Sequence, residues 1–324
     1  MTLFFSEADV RSLLDMESAT RLMRDAFVEL SSGQASAPLR TAIDMPAQDA
    51  RALFMPAHSP DRGQLAVKSV MVHRRNPAAG LPRIHAMVLT FDAETGKPEA
   101  VLEAEHLTAV RTGAASAVAT EILAREDSEV VAIFGAGVQG ETQLDAVCSV
   151  RPIRTALVFD PTAAKASEFC RRASERLEID VRPADEPARL LDADIVCTAT
   201  TSRTPVFESS HLSPGTHING VGSYTPEMAE IPADVIAAAL LVVDQRSACL
   251  AEAGDIIQPI EAELLAADHI HAELGEVIAG DLAGRTSEDQ VTVFKSVGTA
   301  LQDLAVTGHI LEAARREGSG TILR

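Results

Sequence analysis

Apolar residues follow two different rhythms along this chain. In the first hundred residues, Ser6-Glu7-Ala8-Asp9 has the composition of a helix cap, and residues 15–30 carry Ala19, Leu22, Met23 and Phe27 at helical spacing. Residues 51–55, 64–72, 84–91 and 98–103 then read as strands, and another is expected after Arg40. They are separated by Asp61-Arg62-Gly63, Asn76-Pro77-Ala78-Ala79-Gly80 and Asp92-Ala93-Glu94-Thr95-Gly96, all turn-forming sequences. Residues 107–123 form an Ala-rich helical stretch. A meander of this kind exposes a face that needs cover, and a partner subunit is one way to supply it.

From about residue 120 the pattern becomes strand, helix, strand. Strands are predicted at 130–134, 155–159, 179–183, 194–198, 217–221, 240–243 and 291–294, with a helix over 161–177. This alternation belongs to an α/β fold with a doubly wound, Rossmann-type parallel sheet. After Ser296-Val297-Gly298 a final helix spans 299–316. The expected organisation is a first domain over 1–118, a second, Rossmann-type domain over 119–298, and a segment 299–324 that returns to the first domain. That makes the first domain a discontinuous α+β unit.

Composition narrows the partners. Of 324 residues, 46% are hydrophobic and 23% charged, which suits a globular chain. The formal net charge of −19 argues against nucleic acid, whose binding needs concentrated Lys and Arg. The apolar run 235–243 is too short to span a bilayer and reads as a buried strand with its lead-in, so no membrane association is expected. Without a secretory pattern at the N-terminus, a cytoplasmic location is expected. Cys148, Cys170, Cys197 and Cys249 are scattered and read as reduced, buried thiols; no Cys/His spacing points to a metal.

The segment most informative about function is Val130-Val131-Ala132-Ile133-Phe134-Gly135-Ala136-Gly137-Val138-Gln139-Gly140. An apolar strand runs into Gly-x-Gly-x-x-Gly, where the glycines permit a tight turn, close approach of a pyrophosphate and close helix-to-sheet packing. Asp160 ends the next strand, where a carboxylate can accept both adenosine-ribose hydroxyl protons of NAD and repel a 2′-phosphate. NAD(H) is therefore preferred; NADP(H) stays open, because Arg154 and Lys165 are at hand to soften the repulsion. Thr198, Ala199 and Thr200 follow a strand at the carboxyl edge and border either the cofactor or a plain loop. Val221, Gly222 and Ser223 leave the next strand, and Thr112 and Gly298 complete the expected cofactor-binding set.

Three cations stand out upstream. Lys68 lies in a strand-like run where an ammonium is costly unless paired, Arg111 lies among small residues of the Ala-rich helix, and Arg40 follows Pro38-Leu39. A guanidinium fork suits the carboxylate of an amino or imino acid, and a desolvated lysine suits proton donation at C=N. The alternative gives the arginines to structural ion pairs and Lys68 to a solvated strand face; spacing does not separate the two. Tyr224, the only tyrosine, is placed to donate to a substrate or to wall its pocket. His85 reads as a core or interface residue, His217 as a strand-edge residue, and Glu227 and Glu230 as local caps or pairs.

Together these segments resemble the ornithine cyclodeaminase and mu-crystallin family. The resemblance rests on Ala37-Pro38-Leu39-Arg40, Val67-Lys68, Asn76-Pro77-Ala78-Ala79-Gly80-Leu81-Pro82, the run from Leu107-Thr108 through Arg111-Thr112-Gly113-Ala114, the glycine turn, and His217-Ile218-Asn219-Gly220-Val221-Gly222. It implies a homodimer that uses a nicotinamide cofactor, with 1–118 as the substrate-binding and dimerisation domain, 119–298 as the NAD-binding domain, and Arg40, Lys68 and Arg111 at substrate-carboxylate and catalytic positions. It also implies hydride transfer between the nicotinamide and the α carbon of an amino or imino acid.

The chain departs from the family pattern at two places. Tyr224 stands where the family's cyclodeaminases and its archaeal-type alanine dehydrogenase carry an aspartate, and a phenol is a weak base at neutral pH. Glu103-Ala104-Glu105 replaces the usual Asp-Gly, adding two carboxylates that are expected to bear on pocket polarity. The resemblance, so modified, points to reduction of a small ketimine carboxylate such as pyrroline-2-carboxylate or piperideine-2-carboxylate, nearer to the ketimine reductase branch. The alternatives are an ornithine cyclodeaminase or open-chain amino-acid dehydrogenase and, more remotely, a non-catalytic NAD(P)H-binding, crystallin-like protein.

Overall fold

In the computed structural model, which describes residues 2–323, the chain divides into two compact units: Met1–Arg111 with Thr299–Arg324, and Thr112–Gly298. The first unit is built on strands β1 (Thr2–Phe5), β2 (Thr41–Met45), β3 (Ala50–Ser59), β4 (Gln64–His73), β5 (Ile84–Asp92) and β6 (Pro98–Glu103). From β2 to β6 they form an antiparallel meander. β1 lies parallel to β6, and a strand near the chain's other end, Thr321–Leu323, pairs antiparallel with β1. Neither of these two strands was expected, since a run of three or four residues carries too little alternation to register.

Two helices precede the meander. Ser6 caps Glu7–Leu13 through a reciprocal capping box with Asp9, and the Asp15 side chain accepts from Ser18 N–H at the start of Met16–Ser31. The helix Ala300–Glu317 packs against Met16–Ser31 and against β3 and β4. Almost every residue of its first four turns is buried, including Gln302 and Asp303. Segment 299–323 therefore completes the unit that the N-terminal residues begin.

The second unit holds an eight-stranded parallel sheet. Its strands are β7 (Val130–Phe134), β8 (Thr155–Phe159), β9 (Asp180–Pro183), β10 (Ile195–Thr198), β11 (His217–Gly220), β12 (Leu240–Val243), β13 (Ala272–Glu273) and β14 (Thr292–Lys295). Their spatial order is β13-β12-β14-β11-β10-β7-β8-β9. Both faces are covered, so the strands are nearly continuous apolar runs. Val131 and Ile133 enter one core with Leu144 and Phe169, while Ala132 and Phe134 enter the other with Ile218 and Val293. Strand order reverses between β7 and β10, and in open sheets of this kind ligands bind outside the carboxyl ends of the strands at that switch point.

Around β12, which matches its expected bounds, residues 233–279 hold helices that the sequence reading did not assign. The lead-in to β12 is a short helix, Ala233–Ala238, and the helices Arg246–Glu252, Gly254–Glu261 and Leu274–Ala279 follow. Each is two turns or so, too short for a helical period to emerge from sequence. Among the described residues no helix is long and apolar enough to cross a membrane, and no group of three or more His, Cys, Asp and Glu is placed to hold a metal.

Candidate active site

The first unit gathers its cations around one carboxylate. β4 carries Lys68 and the helix Glu105–Leu123 carries Arg111, and both side chains are buried. Lys68 Nζ donates to Asp303 Oδ1 at 2.8 Å, and Arg111 Nε donates to the same oxygen at 3.1 Å. Arg111 Nη1 also donates to Gln302 Oε1 at 2.8 Å, so two edges of the guanidinium are fixed. Gln302 is in turn held by the Thr299 N–H at the start of its helix. The other Asp303 oxygen, Oδ2, is buried without a hydrogen-bond partner.

Burial pulls the Lys68 ammonium down to about 8; Asp303 opposes that shift, while the charges of Arg111 and Arg40 add to it. Arg40 is half-buried just before β2 and its charge is felt at Lys68. The three cations singled out in the sequence are thus brought into one electrostatic neighbourhood, and the solvated strand face considered for Lys68 is excluded by its 2% exposure. Asp303 was missed. Its one sequence signal is an acid following Gln302 inside the apolar run Ala300-Leu301…Leu304-Ala305-Val306.

Glu103 and Glu105 have structural partners. Glu103 Oε2 accepts from the Glu7 N–H and Glu105 Oε1 from the Ala86 N–H, so both added carboxylates are tied to backbone. They thereby help hold the first helix and β5. His85 is exposed in the single chain with Nδ1 3.7 Å from Glu105, so it is not a core residue.

In the second unit the glycine turn has the conformation that its sequence demands. Gly135 adopts φ +102°, and a Cβ there would lie 2.6 Å from the Ala199 carbonyl oxygen. A Cβ on Gly140 would meet the Gly135 carbonyl oxygen at 2.0 Å, so only glycine lets the helix Val138–Val150 approach. Gly137 caps that helix with no side-chain hydrogen bond and with open space around its missing Cβ. Ala136 and Gln139 are half-buried, and Val138 is 69% exposed. A helix start with no side-chain cap fits a dinucleotide pyrophosphate. Asp160, just past β8, closes on the same turn: Oδ2 accepts from the Ala136 N–H at 2.9 Å and Oδ1 from the Thr162 N–H at 2.8 Å.

Of the other expected cofactor residues, Thr112 lies in the helix Glu105–Leu123, Thr198 ends β10 and the rest lie on loops leaving the strands; several face inward. The Thr198 hydroxyl donates to Glu230, and the Ser223 hydroxyl donates to the Met228 carbonyl. Ala199, Thr200, Val221 and Gly222 are half-buried. Gly298 adopts φ +79° and its N–H donates to Asp244, while the Thr112 carbonyl accepts from Gln143. Tyr224 is half-buried against the core that contains Phe134 and Ile218. Glu230 is no local cap but is fully buried among these loops. His217 begins β11 yet is fully buried between Thr292 and Asn219, and burial pushes its imidazole down to about 3.

An all-parallel, doubly wound sheet with a glycine turn at its switch point, in a chain whose other unit buries cations around an acid, defines a two-unit α/β protein of the Rossmann class. The profile of the ornithine cyclodeaminase/mu-crystallin family matches residues 1–318, and the chain belongs to that family. A Delta(1)-pyrroline-2-carboxylate reductase of Bacillus cereus is 38% identical over 323 residues, 98% of each chain. The structure of the Thermococcus litoralis Delta(1)-pyrroline-2-carboxylate reductase in complex with NADH and L-proline superposes with a TM-score of 0.96 at 40% identity, over 99% of this chain and 100% of that one. An archaeal alanine dehydrogenase dimer with bound NAD gives 0.93 at 31% identity, over 100% and 99%.

Proposed function

We propose that this chain is an NADH-dependent reductase of small cyclic ketimine carboxylates such as pyrroline-2-carboxylate, forming the L-amino acid. The observation that carries this reading is the Lys68–Asp303–Arg111 cluster, a buried amine tuned to about 8 beside a fixed guanidinium. Similarity to reductases of this substrate class along essentially the whole chain supports it.

The cofactor, when bound, supplies a hydride. Gly135, Ala136, Gly137, Val138, Gln139 and Gly140 would hold its pyrophosphate, and Asp160 its adenosine ribose. Thr198, Ala199, Thr200, Val221, Gly222, Ser223, Gly298 and Thr112 would shape the rest of the cofactor site, largely through backbone. Arg154, a candidate to offset the Asp160 charge, is engaged by Glu129 at 3.1 Å, in keeping with NAD(H) over NADP(H).

Arg40 and Arg111 bind the substrate carboxylate, and Asp303 holds the Arg111 plane for that purpose. Lys68 keeps the imine nitrogen protonated, so the carbon accepts the hydride electron pair as the C=N π bond moves onto nitrogen. The product is the neutral or protonated secondary amine. Tyr224 walls the substrate; a phenol does not replace the aspartate that deamination and ring closure of ornithine would use. The assembly would be a homodimer, in which a second copy covers Leu39, Ile43, Leu81, Ile84 and Met87, all exposed on the first unit.

The similarity to alanine dehydrogenase favours one second reading, an open-chain amino-acid dehydrogenase. A panel of cyclic and linear imines, followed by loss of NADH absorbance, separates the two. Turnover of pyrroline-2-carboxylate well above that of pyruvate with ammonia supports the reductase, and the reverse order replaces it with the dehydrogenase. Proline and ammonia released from ornithine would identify a cyclodeaminase, and NADH binding without any turnover a binding protein.

A further inference from the structure

Glu230 lies well beyond β11 in the chain, yet its carboxylate collects the loops that leave two neighbouring strands. Oε1 accepts from the Thr200 N–H at 2.6 Å. Oε2 accepts from the Thr198 hydroxyl at 3.0 Å, the Gly222 N–H at 2.8 Å and the Ser223 N–H at 3.0 Å. Thr198 and Thr200 lie at and beyond the end of β10, and Gly222 and Ser223 follow β11, so one side chain joins the two loops at the carboxyl edge of the sheet. The fit is close: a Cβ on Gly222 would lie 2.4 Å from Glu230 Oε1.

The glutamate is itself held from behind. Its N–H and that of Ile231 donate to Asp255 Oδ1, and Asp255 Oδ2 pairs with Lys295 Nζ at 2.9 Å at the end of β14. Glu230, Asp255 and Lys295 are all at or near zero exposure. Buried charges are expensive, and this group of three is spent on aligning loops at the edge where ligands of such sheets bind.

We propose that Glu230 is a positioning residue for the cofactor: it fixes the β10 and β11 loops against which bound NADH rests, without touching it. This inference rests on the NADH reading above. Asp194 provides the control. It accepts from the Glu129 and Val130 N–H groups and pairs with Arg125 at the opposite, amino end of β7 and β10, so it braces the same sheet away from the ligand edge.

The test compares Glu230→Gln and Asp194→Asn with the wild-type chain by thermal melting, by NADH fluorescence titration and by KM for NADH and for pyrroline-2-carboxylate. Glu230→Gln turns one acceptor oxygen into a donor facing N–H groups and should weaken NADH binding about 10-fold or more, with KM for the imine moved less than about threefold. Asp194→Asn should lower the melting temperature and leave NADH affinity within about twofold. If Glu230→Gln does not fold, Thr198→Val removes a single donor from the set and should raise the NADH dissociation constant about threefold. Wild-type NADH affinity in the folded Glu230 variant, or in Thr198→Val where that variant does not fold, overturns the inference, as does equal loss in Asp194→Asn. A wild-type chain that binds no NADH overturns the functional reading and this inference with it.

Discussion

Lys68 Nζ lies 2.8 Å from Asp303 Oδ1, with both side chains withdrawn from solvent. A lone ammonium in that position would lose several kcal/mol of hydration with nothing in return. The pair is therefore better understood as holding a titratable amine in place than as strengthening the fold.

The first prediction concerns that amine. Lys68→Met should fold, since an apolar chain of similar length replaces a buried one, and should lower kcat on pyrroline-2-carboxylate with NADH by roughly 100-fold or more. A near-wild-type rate in steady-state assays would remove Lys68 from the chemistry.

The pH dependence follows from the same pair. If Lys68 protonates the imine as proposed, reduction needs the charged amine, and kcat/KM should fall as pH rises through about 8. Asp303 raises the Lys68 value, against burial and the two arginine charges. In Asp303→Asn only the lowering influences remain, so the alkaline limb should move to lower pH by about one unit or more. A limb that stays in place in the folded variant means that another group titrates.

In the proposed site Asp160 would govern cofactor choice. Asp160→Ser removes the charge that would face a 2′-phosphate, so kcat/KM with NADPH should rise relative to NADH by about 10-fold or more. Unchanged selectivity would take discrimination away from this carboxylate.

Gly140→Ala should affect both stability and binding. Its methyl group would meet the Gly135 carbonyl oxygen, a backbone atom that cannot swing aside. The melting temperature should drop by on the order of 5 °C or more, with NADH affinity reduced as the turn shifts. Crystals or titrations showing an undisturbed turn would contradict this account of the glycine.

The proposed assembly is open to a mass measurement. Light scattering should give twice the 34.3 kDa of the chain. Ile43→Lys combined with Ile84→Lys places two charges among the exposed apolar residues and should shift the population to monomer. A wild-type monomer at micromolar concentration would leave those residues without their proposed cover.

How much was legible in sequence depended on distance along the chain. The glycine turn and Asp160 are local: strand, turn and helix start lie within one short segment, and β7 and β8 match their expected bounds. Lys68 and Arg111 stood out because a cation is conspicuous among apolar neighbours. Their partner could not be found the same way, since Asp303 is 235 residues from Lys68 and only tertiary packing brings them together. Glu230 was hidden for a similar reason, because in Pro226-Glu227-Met228-Ala229-Glu230 nothing distinguishes a solvated acid from a buried one. His217 misled because a polar residue at the start of a strand commonly faces water, whereas β11 is flanked on both sides.

The return of segment 299–323 to the first unit also sets an order of events during synthesis. Lys68 and Arg111 emerge from the ribosome early, but the acid they share is translated only after the whole of Thr112–Gly298. Until then the nascent chain carries two cations destined for a dry interior without the acid that pairs with both in the folded protein. The pairing that buries them therefore forms only after the unit Thr112–Gly298 has been made.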